Sequence, residues 1–328
     1  VNLLPVRLEP QFVPRIWGAR SLAPLFPEKK MLAEPIGEVW LTGNECRFAD
    51  GPFGSEKLGD AWPRMTEDWI GRRVRRDAPF PLLAKFLYPE DKLSVQVHPD
   101  DAYARAHEAA AGGVGKTEMW YVISARAGAE VRVGLKPEVD REQFRRAIAE
   151  GTAEDFVERV PVHAGDSIFV PAGTVHTIGP GMTLCEIQQN SDITYRVFDY
   201  NRLTMEGQPR ELHVEKAMDV IRFGEQQGGR IEPAEIKDAS TEISVLVECS
   251  HFAVVKSVIN DRQYRVRSGK QFEILIVLQG SGRIEVPGGR VEYAAGQAWL
   301  MPASVRDCMF APEKRTTILL ASAPATAK

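Results

Sequence analysis

The chain is 328 residues long, 44% apolar and 26% charged, with a formal net charge of −4. That length suits two domains of ordinary size or one large core. The acidic balance and the absence of a basic block argue against a nucleic-acid partner, and no apolar run approaches a bilayer span, so no membrane partner is expected. The opening "VNLLPVRLEP" has no charged-then-apolar leader, so a cytoplasmic location is expected. Cys46, Cys185, Cys249 and Cys308 are scattered, with no Cys-x-x-Cys pair, which fits packing thiols in a reducing compartment. A small anionic substrate remains compatible, because a local basic pocket does not need a basic protein.

In chain order, the first helical pattern covers residues 55–74, with Pro63 marking a break. "LSVQVHPDD" then reads as strand, and "DAYARAHEAA" gives a second helix over about 101–111. "EMWYVIS" and "AEVRVGL" are strands, followed by the clearest helical pattern, residues 140–160, with Asp140 as N-cap. "SIFVPA" and "TLCEIQQ" are strands again, and a fourth helix over 212–223 ends at Gly224. The polar "GEQQGGR" after it is the candidate linker. Beyond it lie "AVVKSVI", "FEILIVLQG", "GRIEV" and "QAWLMPA", all β-branched or aromatic and bounded by turn residues. Many short strands with frequent turns predict a mainly β sandwich or barrel with helical insertions.

An internal repeat points to two related units. "EMWYVISARAG" from Glu118 resembles "EILIVLQGSG" from Glu273, and "AGDSIFVPAGTVHTI" resembles "AGQAWLMPASVRDCM". Gly165 then matches Gly296, Pro171 matches Pro302, and Asp307 stands where the first copy has His176. The expected division is a catalytic unit over 1–230 and a C-terminal unit over 231–328 without metal ligands. The second unit would cover an open sheet face of the first or form an interface.

Gln96 and His98 lie two apart on a strand and so share a face. With Glu118 and His176 they offer two imidazole nitrogens and two oxygens, a donor set that suits zinc or a similar divalent ion. Each has an ordinary reading alone: His176 as a satisfied strand histidine, Gln96 as a polar edge residue, Glu118 as a solvated strand start. Lys116, two residues before Glu118, faces the same cavity on an extended segment, or is a surface lysine. Ser94, two before Gln96, adds a hydroxyl on that strand face. Arg196 either braces a developing anion, grips a phosphate, or pairs with Asp192 or Asp199.

The segment Gly165-x5-Pro171-x-Gly173-x-x-His176 matches a signature of the cupin superfamily. "SVQVHPDD", "GKTEMWY", "VPAGTVHTIG" and "NSDITYRVFDYNR", in this order, resemble the type I phosphomannose isomerases in their short bacterial form. The likeness runs from "RIWGAR" and "IGEVW" through Arg202, and more loosely through the C-terminal copy. It implies two cupin barrels (double-stranded β-helix, or jelly-roll), the first with helical insertions. It also implies one zinc ion per chain on Gln96, His98, Glu118 and His176, with Lys116 and Arg196 as catalytic residues. The implied reaction interconverts mannose 6-phosphate and fructose 6-phosphate through an enediol. The long forms follow the arginine with a Gly-Leu-Thr-Pro-Lys run, whereas this chain reads Val197-Phe-Asp-Tyr-Asn-Arg202. A basic residue is thus kept in a different loop, and Arg202 is a second phosphate candidate after Arg196, with Ser94 as a further substrate contact. Two other readings keep the barrel: an iron cupin oxygenase, which more often uses three histidines and a carboxylate, and a non-catalytic sugar-binding protein.

Overall fold

The computed structural model describes residues 3–72, 74, 78–204, 207–225, 228–237 and 241–323. Its first strands are β1 (Val6–Leu8), β2 (Gln11–Ala19), β3 (Ile36–Trp40), β4 (Leu82–Leu87), β5 (Val95–Val97) and β6 (Glu118–Ala125). Next come β7 (Glu130–Leu135), β8 (Val157–Pro161), β9 (Ser167–Val170), β10 (His176–Ile178), β11 (Met182–Gln189), β12 (Tyr195–Phe198) and β13 (Gly229–Arg230). The C-terminal strands are β14 (Ala234–Lys237), β15 (Thr241–Glu248), β16 (Ala253–Ile259) and β17 (Gln263–Val266). They continue with β18 (Glu273–Val286), β19 (Gly289–Ala294), β20 (Ala298–Met301) and β21 (Asp307–Ser322). Among the described residues five short α-helices intervene: α1 (Leu58–Ala61), α2 (Glu67–Ile70), α3 (Asp101–His107), α4 (Arg141–Glu150) and α5 (Val214–Val220).

Three antiparallel sheets result, mainly β as expected. A seven-stranded sheet runs β13-β9-β6-β11-β4-β3-β2, and a five-stranded sheet runs β12-β5-β10-β7-β8. The eight C-terminal strands and β1 form a nine-stranded sheet in which the long β18 and β21 each pair with several others. Between the first two sheets lies an apolar core of Trp120, Val122, Val131, Val133, Ile168, Val170 and Leu184. The opposite face of the seven-stranded sheet, with Val39, Phe86, Met119 and Ile187, shares one core with Phe252, Phe272, Ile274, Leu300 and Leu319 of the C-terminal unit. The expected covering of an open sheet face is thus made by the C-terminal strands. Helices α4 and α5 pack Phe144, Ala147, Ala217 and Met218 against Val95, Val97 and Val197 on the outside of the five-stranded sheet.

This layering explains the strand sequences. β6 and β4 are buried on both faces, so "EMWYV" and "LLAKFL" read as continuous apolar runs rather than alternations. Helix α4 has the reciprocal cap that Asp140 suggests: Gln143 N–H donates to Asp140 Oδ1 at 2.8 Å, and Asp140 N–H to Gln143 Oε1 at 2.9 Å. It ends at Gly151, whose φ of 73° is left-handed.

Several boundaries differ from expectation. The helix over 140–160 stops at Glu150, a 3-10 turn follows at Ala153–Phe156, and Val157–Pro161 is strand β8, because that segment pairs with β7. Residues 55–74 form two single turns, α1 and α2, separated by a 3-10 turn that contains Pro63; residue 73 lies outside the described residues. "FEILIVLQG" and "GRIEV" are one strand, β18, with register shifts near Gln279 and Ser281. Part of the candidate linker, residues 226–227, lies outside the described residues, and its end pairs as β13 with β9. β1, expected within the N-terminal unit, pairs with β20 of the C-terminal sheet. Among the described residues no helix is long and apolar enough to cross a membrane, and all four cysteines are free.

A candidate metal centre and its cavity

On β5, Val95 and Val97 point to the helices, so Ser94, Gln96 and His98 point between the sheets. Gln96 pairs with His176 on one side and with Arg196 on the other. On β6 the inward residues are Glu118 and Trp120, and Met119 and Tyr121 take the other face. The Pro171–Gly173 corner joins the two histidine segments: Gly173 N–H donates to the His98 carbonyl at 2.8 Å. Gly173 has φ of +87°, and a Cβ there would meet the Val220 carbonyl oxygen at 2.9 Å, so glycine is required.

His98, Glu118 and His176 converge, with one ligand atom from each lying within 4.8 Å of the others. His98 Nδ1–H donates to the Ile193 carbonyl and His176 Nδ1–H to the Thr174 carbonyl, both at 2.9 Å. The carbonyls can only accept, so both protons sit on Nδ1 and the Nε2 lone pairs point into the site, as second-shell bonds fix metal-ligating histidines. Burial holds His176 down to about 4 and, with the Lys116 ammonium beside it, holds His98 well below its ordinary value. Both rings are neutral at pH 7. Glu118 Oε1 is 3.3 Å from His176 Nε2, and Oε2 is 3.6 Å from His98 Nε2. Both carboxylate oxygens are buried without an aligned hydrogen-bond donor, although Lys116 Nζ approaches Oε2 to 2.9 Å. Gln96 brings its amide to the same point, 3.2 Å from His176 Nε2; turned over, the amide presents Oε1, an oxygen donor. Two unprotonated imidazole nitrogens converging on a buried carboxylate are a ligand set that a divalent cation completes. Among the described residues no second such cluster is present.

The repeat is exact in register where it matters. Glu118 lies opposite Val170, just before Pro171, and Glu273 lies opposite Met301, just before Pro302. In the second copy, however, Glu273 is ion-paired with Arg265 and Arg267, both at 2.9 Å. Asp307 accepts from the exposed Tyr264 hydroxyl, and it is Cys308 that is buried. Guanidinium groups stand there in place of a metal-ligand set.

Beside the metal cluster is a polar cavity lined by Lys116, Ser94, Gln96 and Arg196, all anticipated, and by Arg15, Lys85, Glu38, Glu186, Asp192 and Arg210. Lys116 Nζ also contacts His98 Nε2 at 3.0 Å. Ser94 Oγ–H donates to Gln96 Oε1 at 3.2 Å. The Arg196 Nε is buried without a partner. Burial, followed by the nearby Arg210, makes Arg196 give up its proton more readily than usual. Arg202 is not among the lining residues. Its guanidinium binds Asp199, Asp91 and the Lys92 carbonyl and stacks over Tyr200.

The sequence alone did not single out Lys85, Glu186 or Arg210, which line the cavity with Glu38. Lys85 is buried 3.6 Å from Glu186, 3.7 Å from Asp192 and 3.8 Å from Glu38, and lies 5.0 Å from the Trp40 ring centroid. Glu186 accepts from Trp120 Nε1–H at 3.1 Å. Burial, reinforced by Glu118, raises Glu186 to about 7. The available signal was a lone charge inside each of two apolar strands, "LLAKFL" and "TLCEIQQ". A larger, more open groove lined by α2 residues and C-terminal loops holds none of these groups.

Comparison with known proteins agrees with this geometry. Residues 6–120 match the family model for the catalytic domain of type I phosphomannose isomerase. The chain is 37% identical over 306 residues to a probable mannose-6-phosphate isomerase of Bacillus subtilis, covering 91% of this chain and 93% of the relative. It is 35% identical to the mannose-6-phosphate isomerase of Streptococcus mutans over 93% and 95% of the two chains. The crystal structure of mannose 6-phosphate isomerase from Bacillus subtilis superposes with a TM-score of 0.89 at 30% identity, covering 98% of this chain and 100% of that one. With such relatives matched over nearly their whole length, the chain belongs to the mannose-6-phosphate isomerase family of aldose–ketose isomerases.

Proposed function

We propose that the protein interconverts mannose 6-phosphate and fructose 6-phosphate through an enediol, with one zinc ion per chain. The observation that carries this reading is the convergence of the buried Glu118 carboxylate with the unprotonated Nε2 atoms of His98 and His176. Gln96, His98, Glu118 and His176 would hold the ion, which when bound supplies Lewis acidity toward a sugar oxygen. Catalysis also needs a group that moves a proton between C1 and C2. A general acid–base works best when its pKa lies near the working pH. Glu186 meets that condition, raised to about 7 by burial, and it opens onto the cavity. Lys116 supplies a cation beside Glu118, where it can hold or protonate a substrate oxygen. Arg196, with no ion pair among the described residues and a free Nε, is suited to brace the enediolate.

We assign residues 1–230 to the catalytic unit and 231–328 to a companion unit, with β1 exchanged into the latter's sheet. The test is a coupled assay of mannose 6-phosphate turnover on protein stripped with a chelator. Activity should vanish and return with zinc. Full turnover by stripped protein would count against the reading.

A further inference from the structure

The three arginines of the cavity are held in different ways. Arg15 is committed to Glu38 by two hydrogen bonds, Nε to Oε1 at 3.0 Å and Nη2 to Oε2 at 3.1 Å. Arg196 sits beside Gln96 in the β12–β5 register. Arg210 donates both Nε (2.6 Å, to Oδ2) and Nη2 (2.5 Å, to Oδ1) to Asp199. Asp199 Oδ1 also accepts Nη2 of Arg202 at 2.6 Å. One carboxylate therefore orients two guanidinium groups, and of these two only Arg210 opens onto the cavity.

Strand register orders these groups along the cavity. His98, Gln96 and Ser94 share one face of β5 and run away from the metal cluster. Along β12, Arg196 lies opposite Gln96 and Phe198 opposite Val95. Asp199 follows, so the carboxylate that holds Arg210 belongs to the Ser94 end. Two strand residues span roughly 7 Å, about the reach from the first carbons of a hexose to a phosphate on its sixth. The metal, Lys116 and Arg196 thus mark the reacting end, and Ser94 with Arg210 marks the far end.

Building on the isomerase reading, we propose that Arg210, oriented by Asp199, grips the phosphate of the substrate, and that Arg202 acts from outside the cavity by bracing Asp199. Arg202, a phosphate candidate from the sequence, is then a positioning residue.

Steady-state kinetics on the full-length, metal-loaded enzyme test this, with inorganic phosphate as competitive inhibitor. Arg210→Met should raise both the KM for mannose 6-phosphate and the inhibition constant of phosphate by roughly 10- to 150-fold, as expected for a lost charge-assisted contact. The kcat should change only a few-fold. Arg210→Lys, which keeps the charge without the planar fork, should fall in between. Arg202→Met should raise both constants by less than Arg210→Met does. Arg210→Met with both constants within twofold of wild type would overturn the proposal, as would a larger effect from Arg202→Met. Should Arg210→Met not fold, unchanged phosphate inhibition in Arg210→Lys is the overturning result. A wild-type protein that does not turn over mannose 6-phosphate would instead sink the isomerase reading; calorimetric phosphate binding to wild type and Arg210→Lys would still decide the assignment.

Discussion

Replacing Glu38 with glutamine probes the buried charge network that floors the cavity. Glu38 is 8% exposed and accepts two hydrogen bonds from Arg15 and one of 2.6 Å from Trp40 Nε1–H. Burial alone would raise its pKa. Lys85 and Arg15, with the indole N–H, outweigh burial and hold it down at about 2 against an ordinary 4.5. The folded-state value lies below the unfolded one, so the ionised carboxylate stabilises the fold above pH 4.5, and this contribution is lost as pH falls toward 2. At about 1.4 kcal/mol per pH unit, it amounts to roughly 3 kcal/mol at neutral pH, of which about 2 kcal/mol is gone by pH 3. Glu38→Gln removes the titration and leaves the rest of the protein in place. Urea unfolding followed by tryptophan fluorescence, at several pH values from 7 to 3, gives the stability gap between the two proteins. Subtraction cancels the groups that titrate alike in both proteins; Glu186, which Glu38 helps to raise, is the exception. The gap should narrow by about 2 kcal/mol across that range. A gap constant with pH would refute the assignment of a depressed carboxylate to Glu38.

Three other substitutions follow from the same geometry. Lys116→Met should lower kcat by roughly 10²- to 10⁴-fold while zinc content, read by elemental analysis, stays at one per chain; loss of metal instead would make Lys116 a structural partner of Glu118. Glu186→Gln should cost a similar factor and abolish the limb of the pH–rate profile near 7; an unchanged profile would remove Glu186 from proton transfer. Gly173→Ala must place a Cβ at left-handed φ against the Val220 carbonyl oxygen. It should lower stability by about 2 kcal/mol and weaken zinc retention, and a melting temperature equal to wild type would contradict the strained corner.

Much of this architecture is legible in the sequence because strand periodicity and turn chemistry are strong here. The i, i+2 spacing of Gln96 and His98 and the Gly-Pro-Gly frame before His176 are local signals, and both segments meet at the same point. Charges inside apolar strands are harder to interpret. Lys85 and Glu186 lie opposite each other across β4 and β11, a relation that no linear spacing encodes. Arg202 and Arg210 differ in the opposite sense. Both are basic residues after Arg196, and only their placement in the fold decides which one lines the cavity. β8 was hidden because Val157–Pro161 directly continues a helical pattern and is drawn into strand by pairing with β7. β1 was hidden because its partner lies almost 300 residues away.

On the proposed reading, His98, Glu118, His176 and Gln96 close around one divalent ion. Elemental analysis of the purified wild-type protein and of His176→Ala addresses it most directly. Close to one zinc per chain is expected in the wild type and a large loss in the variant, with isomerase activity falling in step. An active wild-type protein free of divalent metal, or a variant that retains its full complement, would contradict it.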